Sequence, residues 1–278
     1  MVLAEAYHMK VSFCRTLLTA LAGAVLFAGA NAQDEGDVHI GFKGGVSVPN
    51  LVGGGDNEVT RDYKSRTAYN FGGYVEYRVS PRFSVQTEVN FAPQGGKREG
   101  IQPVTRPIPG LPPPPGQYYY GNFSNTAKLN YLEVPVLFKY TQRRDGPRVY
   151  VNGGPYAGFL LKATQETRGT SPLYIDRNGT PFIPPMPPTV TAGSPEGISI
   201  PPINWDADTD VTDSLNRFNV GLTGGGGVQF PVGKNYFFVD ARAAYGLRTL
   251  QKNTATDGES KTGYLLFSFG YAFKVRGR

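Results

Sequence analysis

Between Asn130 and Tyr140 the chain reads N-Y-L-E-V-P-V-L-F-K-Y. Leu132, Val134, Val136, Phe138 and Tyr140 take every second position, and Glu133 and Lys139 fall between them. A period of two marks a strand with one apolar face and one polar face. The same alternation recurs. Val38–Val48 sets Val38, Ile40, Phe42, Val46 and Val48 against His39, Lys43 and Ser47. Ala68–Val79 sets Tyr69, Phe71, Val75, Tyr77 and Val79 against Asn70, Tyr74, Glu76 and Arg78. Phe83–Phe91 alternates without a fault, Phe83, Val85, Thr87, Val89 and Phe91 opposing Ser84, Gln86, Glu88 and Asn90. Val149–Leu161, Arg217–Phe230, Tyr236–Leu247 and Gly263–Lys274 follow the same rule, so eight strands are predicted.

These lengths suit a tilted strand crossing a bilayer, which takes about 9–11 residues. The links between them alternate too. Those after the second, fourth and sixth strands are short, with turn signals such as Ser80-Pro81-Arg82 and Asp145-Gly146-Pro147, while those after the first, third, fifth and seventh are long. Short turns at one end and long loops at the other are expected of an outer-membrane barrel with its termini and turns in the periplasm. A soluble sandwich has no reason to sort its loops by parity. The predicted fold is therefore all-β, an eight-stranded antiparallel up-and-down transmembrane β-barrel with long extracellular loops.

The longest loops, about residues 92–126 and 162–216, hold 17 of the 23 prolines. The runs Pro112 to Pro115 and Pro184-Pro185-Met186-Pro187-Pro188 favour extended polyproline II and cannot pair in a sheet. They are expected to project as semi-rigid or disordered loops, with Tyr118-Tyr119-Tyr120 able to prolong the fourth strand.

Composition sharpens this picture at the N-terminus. Lys10 and Arg15 precede an apolar run from Leu17 to Ala28, and Ala30-Asn31-Ala32 supplies small residues for cleavage. Residues 1–32 read as a secretory signal peptide, too short in its apolar run to span a bilayer. The barrel domain would then be 33–278. The single cysteine, Cys14, leaves with the signal, so no disulfide is available to the mature chain. Cleavage removes two cations and one anion and moves the net charge from +6 to +5. No basic run supports nucleic-acid binding.

The polar faces carry Lys43, Arg78, Lys139 and Arg242 and an equal number of acids, Glu76, Glu88, Glu133 and Asp240. Charges turned into a dry sandwich core would be costly, whereas inside a barrel they can pair. A lumen ion-pair network of these eight residues is expected. Pro135 and Pro155 each remove a ladder donor and mark strand irregularities, with Pro135 predicted to face Gly154 or Tyr156. Gly224 to Gly227 superficially resembles a phosphate loop but has strand on both sides, so close strand packing is the better reading. Asp206, Asp208 and Asp210 resemble the start of a calcium loop, yet Val211 and Arg217 replace the required Gly and Glu. A looser calcium site and a solvated acidic loop remain as alternatives. His39, the one histidine left after cleavage, is expected at the periplasmic end, away from the substrates of a barrel hydrolase. No cofactor site is expected.

The run Y-L-E-V-P-V-L-F-K-Y at Tyr131–Tyr140 resembles the signature strand of PorT-like outer-membrane barrels of Bacteroidetes. G-F-K-G-G-V-S at Gly41–Ser47 and G-G-P-Y-A-G at Gly153–Gly158 support the resemblance. It implies an eight-stranded outer-membrane barrel in a family whose founding member takes part in a secretion system. The long proline-rich loops and the tail from Lys274 to Arg278 depart from the pattern. The expected role is non-enzymatic, with outer-membrane lipid around the barrel and an extracellular ligand or protein partner at the loops. A small-solute channel or secretion accessory is the alternative, and an outer-membrane hydrolase a remoter one.

Overall fold

Eight alternating segments with no second layer to cover them can bury their polar faces only by closing on themselves, and the computed structural model shows that closure. Residues 36–54, 57–112, 118–142, 145–183 and 201–276 are described. The signal segment 1–32, the Pro184–Pro188 run and most of Pro112–Pro115 lie outside them. The strands are β1 (Val38–Val52), β2 (Ala68–Arg78), β3 (Phe83–Pro103), β4 (Tyr120–Thr141), β5 (Arg148–Arg168), β6 (Thr170–Ser171), β7 (Ile203–Asn204), β8 (Ala207–Asp210), β9 (Phe218–Val232), β10 (Asn235–Gly246) and β11 (Lys261–Arg276). All pairings are antiparallel. The ring runs β1-β2-β3-β4-β5-β9-β10-β11 and closes where β11 pairs with β1, from Val38 opposite Arg276 to Val52 opposite Lys261.

Apart from Val38, which is buried beside a register shift between Val38 and His39, the apolar positions predicted to face lipid do not turn into the lumen. Phe42, Phe71, Phe138, Val151, Leu222, Val239, Phe267 and Phe269 are exposed around the circumference. An uninterrupted apolar band of this kind is stable only against hydrocarbon. Aromatic rings mark its lower edge, at the end of the barrel with the short turns. Phe83 meets Tyr140 with centroids 5.2 Å apart, and Phe237 meets Tyr271 at 4.6 Å.

At the opposite end, where the loops are long, the strands run further than their alternation predicted. β3 continues to Pro103, β4 begins at Tyr120 and β5 ends at Arg168, so residues 92–103 and 120–126 of the first expected loop and 162–168 of the second are strand. The outward face changes character there: Lys97 pairs with Glu99 at 2.6 Å and Lys128 with Glu166 at 2.5 Å. These external ion pairs show that the extensions stand in water. β8 takes over from β9 as the neighbour of β5 in this region, pairing Ala207–Asp210 with Thr164–Thr167.

A second, smaller core lies among the loops. Trp205, Phe123, Val104 and Leu173 are buried together, with Tyr119 and Phe182 packed against them. Gly121 makes this possible, because a Cβ there would lie 2.8 Å from the Trp205 ring.

Pro135 lies opposite Tyr156, one of the two partners expected. Pairing is missing on both sides of it. The β3–β4 ladder skips from Thr87–Val136 to Asn90–Glu133, and the β4–β5 ladder from Pro135–Tyr156 to Phe138–Gly153. The register is unchanged across each gap, so neither proline creates a bulge. One bulge lies higher, where Asn130 faces Lys162 and Tyr131 faces Leu160, leaving Leu161 and Lys162 both exposed, and the β1–β11 ladder shifts register between Val38 and His39. Gly224–Gly227 stay within β9, and a Cβ on Gly225 would collide with the Ala241 carbonyl of β10. Strand packing accounts for these glycines.

Candidate functional site

Because side chains alternate, the residues between the lipid-facing ones fill the lumen. Glu88 on β3 is its hub. Its carboxylate accepts from Lys43 Nζ at 2.6 Å and from Arg242 Nη1 at 2.7 Å, and also from Gln86 and Asn90. Arg242 in turn holds Asp240 at 2.6 Å. Asp240 also accepts from Tyr150 and Ser268. A second pair, Lys139 with Glu76 at 2.8 Å, is completed by Tyr236 at 2.6 Å and Ser84 at 2.9 Å. Lys139 also stands 4.3 Å from the centroid of the Tyr150 ring. All six ions are buried, and three cations balance three anions.

Two of the eight predicted members do not join. Arg78 ends β2 at the water-facing rim, is half-buried, and enters no ion pair among the described residues. Glu133 sits higher in the lumen, where its carboxylate accepts from Gln94 and from Tyr264 Oη at 2.7 Å. Both its partners are neutral. The expected network of eight is thus corrected to a neutral set of three cations and three anions, with Arg78 at the rim and Glu133 bound apart.

Several lumen residues escaped the sequence reading. Tyr236 and Phe238 join Tyr74, Tyr150 and Ala272 in an apolar cluster, and Leu137, Tyr131 and Leu266 are also buried. Counting back in twos from Asp240 would have found the first two. Above the ions, Leu129, Tyr131, Leu160, Ala163 and Leu250 pack into a further buried cluster. His39 lies at the turn end, its ring 5.2 Å from that of Tyr236 and its Nδ1 buried without a partner. No serine or threonine hydroxyl bonds to it among the described residues, so no nucleophile and base are paired there.

At the loop end the three aspartates of the acidic segment diverge. Asp206 accepts from the Gly169 amide at 2.8 Å, Asp208 pairs with Arg168 at 2.5 Å, and Asp210 accepts from Thr212 N at 2.9 Å. Among the described residues no three metal-ligating side chains converge.

The loops are instead tied by an arginine. Arg177 donates to Glu58 at 2.7 Å and to Asp62 at 2.9 Å, joining the third long loop to the first. The hydrogen bond from Arg177 holds the Asp62 carboxyl below its usual range. A depressed carboxyl contributes its tie fully above the ordinary carboxylate pKa, about 3.9, and loses it as the pH falls through the lower folded value. Spin labels at Asn57 and Asn178 should therefore give one narrow distance distribution at neutral pH and a broad one only when the pH is taken well below about 3.9. A distribution that stays narrow in acid would show that charge does not hold these loops together.

Two adjoining cavities lie within the loop assembly. One, of about 420 Å³, is walled by Leu51, Leu129, Val211, Leu215 and Leu250 with Tyr63. The other, about 240 Å³, is lined by Arg98, Gln102, Arg106, Asn125 and Trp205. Val59, Thr105, Gln165 and Val211 belong to both.

Residues 31–252 match the family described as outer membrane protein beta-barrel domain. No curated protein matches the sequence. Among solved structures, the chain is similar to Ail, the attachment invasion locus protein of Yersinia pestis, at 15% identity, 86% coverage of this chain, 99% of that one and a TM-score of 0.37. It is similar to Neisserial surface protein A at 7% identity, with coverages of 84% and 96% and a TM-score of 0.42. OprG from Pseudomonas aeruginosa gives 12% identity, coverages of 88% and 99% and a TM-score of 0.39. With the model of that family matched over most of its length and a closed eight-stranded ring in its structure, the chain belongs to the outer membrane protein beta-barrel domain family.

Proposed function

We propose that this outer-membrane barrel is a non-enzymatic binding protein, closed along its axis, whose loop end faces the cell exterior and takes a ligand or partner. The turn end, with both termini, then lies in the periplasm, and residues 1–32 are removed on export. The observation that carries this reading is the division of the molecule. Its lumen is filled by a charge-neutral network and aromatic rings, while its loops build a separate water-borne core around Trp205. An eight-stranded barrel leaves room for side chains but not for an aqueous channel. A binding module, by contrast, needs ordered loops on a rigid support. Within the family we place the chain among the PorT-like barrels, on the strength of Tyr131–Tyr140 and the glycine-rich strands.

Reconstitution into planar bilayers tests the closed lumen directly. The expected record is indistinguishable from a protein-free bilayer. Steady single-channel steps that persist after removal of residues 175–201 would overturn the reading in favour of a channel.

A further inference from the structure

Arg98, on the β3 extension, lines the smaller of the two loop-end cavities and is 3% exposed. Its Nη1 donates to the backbone carbonyls of Glu58 at 3.0 Å and Val59 at 3.4 Å. Its Nη2 is buried and has no partner. No carboxylate pairs with it among the described residues. The two acids nearby, Glu58 and Asp62, are both engaged by Arg177, and Glu58 by Arg61 at 2.7 Å as well. A buried guanidinium without a counter-charge costs several kcal/mol, a cost that a bound anion would remove. Arg106 adds a second cation at the same cavity, stacked 5.5 Å from the Trp205 ring centroid.

The neighbouring chamber adds an apolar wall and no cation. Leu51, Val59, Leu129, Val211, Leu215 and Leu250 give it an apolar wall, hydroxyl and amide side chains and Asp257 line the rest, and it shares four residues with the Arg98 cavity. A ligand that filled both would need an acidic group at one end and hydrocarbon at the other. We propose that the loop end binds an amphiphilic organic anion, with its acidic head at Arg98 and its apolar body in the larger chamber. This rests on the reading that the loops form a binding module, and it names the chemical class of the ligand. A dissolved carboxylic acid and the acidic head of a membrane lipid share that chemistry.

Trp205 lines the Arg98 cavity and is the only tryptophan of the chain, so its fluorescence reports on this site alone. Octanoate titrated into the full-length protein in phosphatidylcholine nanodiscs should give a saturable change in that fluorescence. Octanol and inorganic phosphate should each bind far more weakly, since each offers only one half of the match. Arg98→Gln should weaken octanoate about ten- to a hundredfold, the loss expected for a charge-assisted hydrogen bond. Arg98→Lys should weaken it less. Heat-modifiable gel migration checks that each variant is folded. If Arg98→Gln does not fold, Leu215→Phe, which fills the apolar chamber, must weaken octanoate and leave the phosphate response unchanged. Phosphatidylglycerol in the disc that competes with octanoate would identify lipid as the source of the anion, and its failure to compete would identify a dissolved acid; the site stands in either case. Phosphate or octanol binding as tightly as octanoate, or octanoate indifferent to Arg98→Gln, overturns the proposal. So does an absence of any response in the parent protein. If the parent is also non-conducting, the binding-module reading survives that failure, whereas octanoate-sensitive conductance would sink the closed-lumen reading and keep this site.

Discussion

Replacing Glu88 with glutamine is expected to destabilise the folded barrel by about 3–5 kcal/mol, the cost of leaving buried charge without its partner. Lys43 would lose the carboxylate 2.6 Å from its ammonium, with only 1% of the Lys43 side chain reached by solvent. Arg242 would keep Asp240 but face a neutral amide on its other side. The lumen would then carry three cations against two anions in its paired set. The measurement is urea unfolding of protein refolded into lipid vesicles, followed by heat-modifiable gel migration. A double variant, Lys43→Met with Glu88→Gln, restores neutrality and should recover much of the loss, because the two changes touch one interaction and cannot add. If Glu88→Gln unfolds at the parent's urea concentration, or if the double variant is as unstable as the sum of the single ones, the hub role of Glu88 is wrong.

The second large effect is expected on the outer face. Phe269 lies near the middle of β11 and is 68% exposed. In a water-soluble protein, exchanging so exposed a residue alters stability by only about 0.5 kcal/mol. Against hydrocarbon the same position resists charge, and Phe269→Arg should cost about 2–4 kcal/mol. Depth supplies an internal control. Val275 is also outward-facing but lies one residue from the end of the strand, where an arginine should cost about 0–1 kcal/mol. Comparing both variants by vesicle unfolding separates lipid burial from any general effect of arginine. Equal, small losses at the two sites would contradict a transmembrane band.

The strands and the orientation of their faces were legible because a period of two survives wherever one side meets lipid and the other meets the lumen. That condition fails above the membrane. Beyond Phe91 the outward positions of β3 turn to Lys97 and Glu99, so the contrast that announces a strand disappears although the strand continues to Pro103. The core around Trp205 was invisible for a different reason. Val104, Phe123, Leu173 and Trp205 come from four separated stretches, none with enough apolar residues to show a period. Charge on the lumen face could be read, but pairing could not, since it depends on how strands are staggered across the barrel. That stagger puts Arg78 at the rim and Glu133 beside Gln94 and Tyr264. The prolines signalled the gaps in the ladders of β4, while the actual bulge at Leu161 carries no residue that announces it.

The pairing of β1 with β11 has a kinetic meaning. It joins the two ends of the described chain, so it closes the longest loop in the molecule, and contacts of such separation form slowly. Until they form, β1 and β11 each present a row of unpaired amides and carbonyls, both a template for wrong partners and a burden in hydrocarbon, where such groups find no water. Insertion and closure are therefore expected to be a single concerted event, with no stable barrel of seven strands along the way.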